Sequence, residues 1–215
     1  MPNQATTVRT PDTLPEAPRR VLVAEDEHLV AMELIRCLSM QGLTTIGPVG
    51  NGDALVALAE SGTPDIALVD VNMPGRDGLS GAKEIYERFA IPVIVISAYS
   101  DEEFIRRAQD AGVFAYLVKP ASDDQIRAAI ALAWTRYRDL LTSRTEADDL
   151  RRRLAERRVI ESAKWLLVSK RKLTEPEAMK ALQKHARDSR RSLADVAQSI
   201  VDAEALLEPR TDAAS

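Results

Sequence analysis

Asp70 closes a short apolar run, Ile66 to Val69, and is followed by a Met-Pro-Gly turn within ALVDVNMPGRDG, Ala67 to Gly78. An apolar run that ends in one carboxylate and a turn reads as a buried strand whose carboxyl end opens into a crevice, the place where open α/β sheets put their chemistry. Three other runs end in polar residues: VLVA in Glu25-Asp26, IPVIVIS in Ser97 and FAYLV in Lys119-Pro120. If the strands are parallel, all of these side chains share one rim. Three carboxylates in one crevice repel each other, and a divalent cation with hard oxygen ligands is the simplest relief. Mg2+ suits such a site because it keeps several waters and needs only a few protein oxygens. One lysine opposite the acids would neutralise an incoming phosphoryl group, with a hydroxyl donating to another of its oxygens. At ~4 Å and an effective dielectric near 20, that charge pair is worth about 4 kcal/mol before desolvation. These residue types describe a phosphoryl-transfer site with Asp70 as nucleophile.

The elements that would position these groups are legible in the alternation of pattern. From Arg20, apolar runs alternate with amphipathic helices: VLVA with His28 to Met40, LTTIGPV with Gly52 to Ser61, DIALVD with Gly78 to Phe89, IPVIVIS with Asp101 to Ala111, and FAYLV with the helix after Ser122. Five such pairs predict a five-stranded, parallel, doubly wound α/β sheet with right-handed crossovers. Asp101 and Ser122 stand as helix N-caps, and Gly42 and Gly112 as stop signals. The strand order is not written in this pattern.

The 215 residues suit one domain of ordinary size and a smaller one. Residues 1 to 18, with four prolines and no apolar periodicity, read as a disordered leader. No run approaches the ~18 apolar residues of a membrane span and the start lacks a signal peptide, so the expected location is the cytoplasm with no membrane partner. Cys37 falls on an apolar helical position and reads as a buried small hydrophobe. The net charge of −4 hides a division. Residues 1 to 150 carry 14 Lys and Arg against 23 Asp and Glu, residues 151 to 200 carry 14 against 6, and the last fifteen 1 against 4. An acidic body thus bears a basic module, for which nucleic acid is the natural partner and a solvated helix face the plainer reading.

Four motifs in order, AEDE, DVNMPGRDG, ISA and AYLVKP, resemble the receiver domain of two-component response regulators over about Arg20 to Tyr137. The resemblance implies phosphorylation of Asp70 by a sensor histidine kinase. It implies Mg2+ held by Glu25, Asp26, Asp70 and the backbone carbonyl of Asn72, and a phosphoryl group held by Ser97 and Lys119. Tyr116 takes the place of the switch aromatic, although by itself it could be core packing. A cis peptide between Lys119 and Pro120 is implied as well. A haloacid-dehalogenase-type phosphatase is set aside, because its D-x-D follows the first strand whereas Asp70 follows the third and position 72 is Asn.

Beyond Ser122 more than forty residues run without Gly or Pro. Ile126, Ala133, Leu140, Ala147 and Leu154 are apolar at spacing seven and Leu150 lies on the companion seam, which Arg136, Ser143 and Arg157 interrupt. The pattern admits a coiled-coil homodimer linked to phosphorylation, or one long helix packed on its own domain. Val159, Ala163, Leu166 and Leu167 then form a stripe, and Lys170 to Leu173 a turn. Thr174 to Glu177 form a capping box before a second helix, and Ser192 caps a third. This segment resembles an ANTAR domain, the RNA-binding output module of transcription antitermination regulators, in ESAKWLL and LTEPEAMKALQKHARDSRRSLADVAQSIV. Its candidate RNA contacts are Lys164, Lys170, Arg171, Arg187, Arg190 and Arg191, while His185 reads as a surface residue. Trp165 stands where the family usually has Gly, and its ring could block RNA or stack on a base.

The expected organisation is a leader at 1–18, a receiver domain at 19–137, a coiled-coil linker helix at 138–157, a three-helix RNA-binding domain at 158–205 and a flexible tail at 206–215. The expected function is phosphorylation-controlled binding of RNA hairpins in a nascent mRNA leader, promoting antitermination, with no enzymatic activity beyond self-dephosphorylation. A protein partner or duplex DNA is the alternative target of the helical module.

Overall fold

A computed structural model of the chain describes residues 13–98 and 112–207. They fall into two units divided after Ser143. The expected helix from Asp101 to Ala111, with its Asp101 cap, lies outside the described residues, as do most of the leader and the tail beyond Leu207.

The first unit is a parallel sheet of β1 (Arg20–Ala24), β2 (Thr44–Val49), β3 (Ile66–Asp70), β4 (Val93–Ser97) and β5 (Val113–Val118), in the order β2-β1-β3-β4-β5. Every residue of β3 and β4 is buried, because helices cover both faces; that is why these strands read as unbroken apolar runs. On one face α1 (His28–Met40) and the first turns of α4 (Asp123–Arg171) bury Leu34, Cys37, Leu38, Ile126 and Ala133 against Val23, Leu68 and Ile96. On the other, α2 (Gly52–Gly62) and α3 (Gly78–Phe89) bury Leu55, Leu79, Ala82 and Ile85 against Leu22, Val69 and Val95. Helix starts are capped by side chains: Asn51 accepts from the Ala54 amide at 2.8 Å and Asp77 from the Ser80 amide at 3.0 Å. Ser122 and Gln125 exchange reciprocal bonds at the start of α4.

The expected leader needs correction at its end. The end of the supposed leader is placed: Leu14 packs on Trp134, Tyr137 and Leu141, and the Glu16 carbonyl accepts from Trp134 Nε1 at 3.2 Å. Composition missed this because the partners lie more than a hundred residues away. The apolar positions of α4, those of the seven-residue series and Leu150 of the companion seam, lie in two settings. Ile126 and Ala133 belong to the receiver core, whereas Leu150 and Leu154 are half or more exposed.

The second unit holds the rest of α4 with α5 (Glu175–Ser189) and α6 (Leu193–Leu207). Ala163, Leu182, Ala186, Val196 and Ala197 form its buried centre, flanked by Val159, Ile160, Leu167 and Ile200. The turn expected from Lys170 begins only after Arg171, since α4 continues to that residue. Glu177 accepts from both the amide and the hydroxyl of Thr174, at 2.8 and 2.7 Å, and the Ser192 hydroxyl accepts from the Asp195 amide at 3.0 Å.

The first turn of α3 sits directly on the end of β3. A Cβ at Gly78 would lie 1.8 Å from the Asp70 carbonyl oxygen, a backbone atom with nowhere to go. Gly78→Ala should therefore cost at least about 3 kcal/mol and lower Tm on the order of 10 °C by thermal unfolding. Gly75→Ala should cost only about 1 kcal/mol, because that position has a φ of +74° but open space around it.

Candidate functional site

The order β2-β1-β3 puts β1 and β3 side by side at the point where the chain reverses its direction of winding, so the acids that follow β1 meet the acid that ends β3. Carboxylate oxygens of Glu25, Asp26 and Asp70 lie within 4.8 Å of one another. Glu25 and Asp70 are buried and Asp26 is exposed. Lys119 reaches in from the end of β5, its Nζ donating to Glu25 Oε2 at 2.6 Å and to Asp70 Oδ2 at 2.7 Å. The peptide after it, Lys119-Pro120, is cis. The second oxygen of each acid is also held: Glu25 Oε1 accepts from the Glu27 amide at 3.3 Å and Asp70 Oδ1 from the Asn72 amide at 3.1 Å.

Ser97 ends β4, fully buried, and its carbonyl accepts from the Lys119 amide at 2.8 Å. The strand ends thus bring Glu25, Asp26, Asp70, Asn72, Ser97 and Lys119 to one rim. Tyr116 lies on β5 opposite Val95, partly buried against the α2/α3 side of the core, with its hydroxyl out of solvent.

Burial pushes the Glu25 carboxyl above its ordinary pKa, and the nearby Asp70 charge adds to this while Lys119 opposes it. Burial opposes the charge of Lys119, but hydrogen bonds to Asp70 and Glu25 outweigh it and raise its pKa. Three carboxylates against one ammonium leave a formal surplus of two negative charges lined with hard oxygens. That donor set fits a divalent cation such as Mg2+, which Glu25, Asp26, Asp70 and the Asn72 carbonyl would hold.

The basic residues of the second unit differ in their surroundings. Lys164 is drawn into ion pairs with Glu161 at 2.6 Å and Glu175 at 3.3 Å, and only 18% of its side chain is exposed. The Glu161/Lys164 spacing of three on a helix was the signal in the sequence for this capture. Trp165, the next residue, is 67% exposed. Lys170 pairs with Glu204 at 2.8 Å. Arg191 donates from one guanidinium nitrogen to the Asp195 carbonyl and to Ser199 Oγ, at 3.0 and 2.8 Å. Arg171, Arg187 and Arg190 are exposed. Lys172 and Arg190, in the turns on either side of α5, adopt φ of 56° and 53°, where glycine would be less costly by about 1 kcal/mol.

Comparison with known proteins agrees with this division. The family model of the response regulator receiver domain matches residues 21–131, and that of the ANTAR domain matches residues 148–201. The chain belongs to the response regulators that carry an ANTAR domain. It is 41% identical over 193 residues to the transcriptional regulatory protein PdtaR of Mycobacterium tuberculosis (strain H37Rv), covering 90% of this chain and 94% of that protein. Among solved structures it resembles the receiver domain of a modulated diguanylate cyclase from Desulfovibrio desulfuricans G20, at 33% identity and a TM-score of 0.53. That match covers 57% of this chain and 97% of the other. The receiver domain of NarL from Mycobacterium tuberculosis matches at 30% identity and a TM-score of 0.51, over 55% and 98%. No helix of the described residues is long and apolar enough to cross a membrane.

Removing the ammonium from this regulator's rim would leave two buried carboxylates facing each other. Lys119→Met should cost about 3–5 kcal/mol near pH 8 without divalent cation, by urea unfolding. Glu25, already raised above its unfolded pKa, rises further in this variant, so the folded state binds the extra proton. Its stability must then fall as pH rises through the window between the two pKa values, and the deficit should shrink toward pH 5. A deficit independent of pH would contradict this balance.

Proposed function

We propose that the receiver stores a phosphoryl group on Asp70 and that the ANTAR domain uses the stored signal to control binding to RNA. The observation that carries the first part is the shared ammonium of Lys119 on Glu25 and Asp70 at the rim of three acids. A sensor histidine kinase supplies the group. Asp70 Oδ attacks phosphorus, the bond to the kinase imidazole breaks, and that bond's electron pair stays on the departing nitrogen. Bound Mg2+ would offset the negative charge of the phosphoryl oxygens. Lys119 exchanges an Asp70 oxygen for a phosphoryl oxygen without leaving the rim, and Ser97 donates to another. Tyr116 and the β4 and β5 ends then settle into the arrangement that favours the phosphorylated state. The chain is no enzyme in this reading, apart from slow hydrolysis of its own aspartyl phosphate.

The phosphoryl group need only favour one of two existing states. A difference of about 5.5 kcal/mol carries a population from 1:99 to 99:1. The output is binding to hairpin loops of a nascent mRNA leader, so that an antiterminator forms in place of a terminator. The surplus of basic residues over 151 to 200 supports this, since phosphate contacts dominate affinity for nucleic acid. Pairing of two copies through the exposed Leu150 and Leu154 of α4 would present two output domains at once. The setting is cytoplasmic, where kinase, Mg2+ and nascent RNA meet.

A small phosphodonor with Mg2+ should add one acid-labile, alkali-labile phosphoryl group to the wild type, seen as a shifted band on a phosphate-affinity gel. Asp70→Asn should abolish the shift, and chelation of Mg2+ should reduce it more than tenfold. Undiminished labelling of Asp70→Asn would remove Asp70 from this role.

A further inference from the structure

The output domain opens two clefts of opposite character. The larger, about 570 Å3, is bordered by Glu161, Glu175 and Glu204 with Lys164 and the exposed Trp165 ring. Lys164 is already held by two of these glutamates, so the cleft presents carboxylates that repel phosphate. The smaller, about 300 Å3, lies between the last turns of α4, the second half of α5, and α6. Leu166 and Ile200 line its apolar part, and Lys170, Arg171, His185 and Arg191 line its polar part. Glu204, the one acid among its described lining residues, is matched by Lys170 at 2.8 Å, which leaves the two arginines as surplus charge.

Charge and shape together restrict the occupant. An apolar interior bordered by cations suits a flat ring joined to anions, which is a nucleotide. The volume is at the lower end of the ~300–1,000 Å3 typical of small-ligand sites, enough for one base and too small for a stack of several. Double helices keep their bases stacked, so only an unpaired loop can offer such a ring. Arg191 is fixed by its bonds to the Asp195 carbonyl and Ser199 Oγ over the first turn of α6. Held there, its guanidinium keeps a fixed position at the cleft edge from which it can meet a phosphate.

Resting on the RNA reading above, we propose that this basic cleft receives a single unstacked base of the RNA loop, while the Trp165 cleft stays clear of RNA. Arg171 and Arg191 take the phosphates on either side of the inserted base, and the His185 imidazole and the aliphatic side chains meet its ring. Trp165 is therefore neither a block nor a stacking platform for RNA. Lys164 serves the fold of the domain through its two glutamates.

The test uses the full chain, with and without a small phosphodonor, and a pool of RNA hairpins with one fixed stem and randomised loops containing 4-thiouridine. After ultraviolet crosslinking, the labelled peptides should carry His185 or the segment from Arg191 to Ile200. Ser199→Trp, which fills the cleft from an exposed helical position, should weaken retention of the pool at least tenfold. Trp165→Ala should change it less than twofold. Thermal unfolding of each variant separates loss of fold from loss of binding, and the wild-type crosslink map decides should Ser199→Trp melt early. If the pool is retained but crosslinks fall on the Trp165 peptide, or Ser199→Trp binds as wild type, the cleft assignment is overturned while RNA binding stands. If no hairpin is retained in either state, the RNA reading itself falls, as it would for an output domain that binds protein.

Discussion

One ammonium shared between two buried carboxylates is the contact on which the receiver depends. Lys119 joins the end of β5 to the ends of β1 and β3 through Glu25 and Asp70. Without it the rim would concentrate like charges where water cannot screen them, since the side chains of Glu25 and Asp70 are 0% and 6% exposed. The shared ammonium offsets part of that charge and ties the three strand ends together. Buried ion pairs of this kind commonly add little net stability over apolar residues of similar volume. The fold concentrates the acids because the strand order changes direction between β1 and β3, and close backbone packing at Gly78 places the start of α3 against Asp70.

Much of this rim was legible in the sequence. Buried parallel strands are apolar along their whole length, so each ends abruptly at its first polar residue, and four such ends named Glu25, Asp26, Asp70, Ser97 and Lys119. The order of the strands was not legible, because nothing in VLVA, DIALVD or VIVIS says which neighbour each prefers. Gly78 read only as the start of a helix, since its closeness to the Asp70 carbonyl is a matter of how α3 packs. Leu14 looked like part of a proline-rich leader, because its partners Trp134 and Tyr137 are far along the chain. The apolar repeat of α4 mixes two settings: Ile126 and Ala133 serve the receiver core, while Leu154, with Leu150 of the companion seam, is exposed.

The output domain was less legible because basic residues look alike in a sequence and differ only in their surroundings. Lys164 sits in the motif that suggested RNA contact, yet it lies among Glu161 and Glu175. His185 is the surface residue the sequence suggests, but nothing in the sequence says that it borders a cleft together with Arg171 and Arg191. Lys172 and Arg190 occupy left-handed turn positions that glycine would fill at less cost. Retaining cations there is consistent with a surface whose charge matters more than its last kilocalorie of stability.

If the receiver controls the output domain, charge placed on Asp70 is felt in its affinity for RNA. This is tested most directly by titrating one fixed hairpin, chosen by selection from a randomised-loop pool, with the full chain before and after treatment with a phosphodonor and Mg2+. Coupling between two sites commonly amounts to roughly 5–150-fold in affinity. The wild type should tighten at least tenfold and Asp70→Asn not at all. Equal affinities for the phosphorylated and unphosphorylated wild type would contradict it.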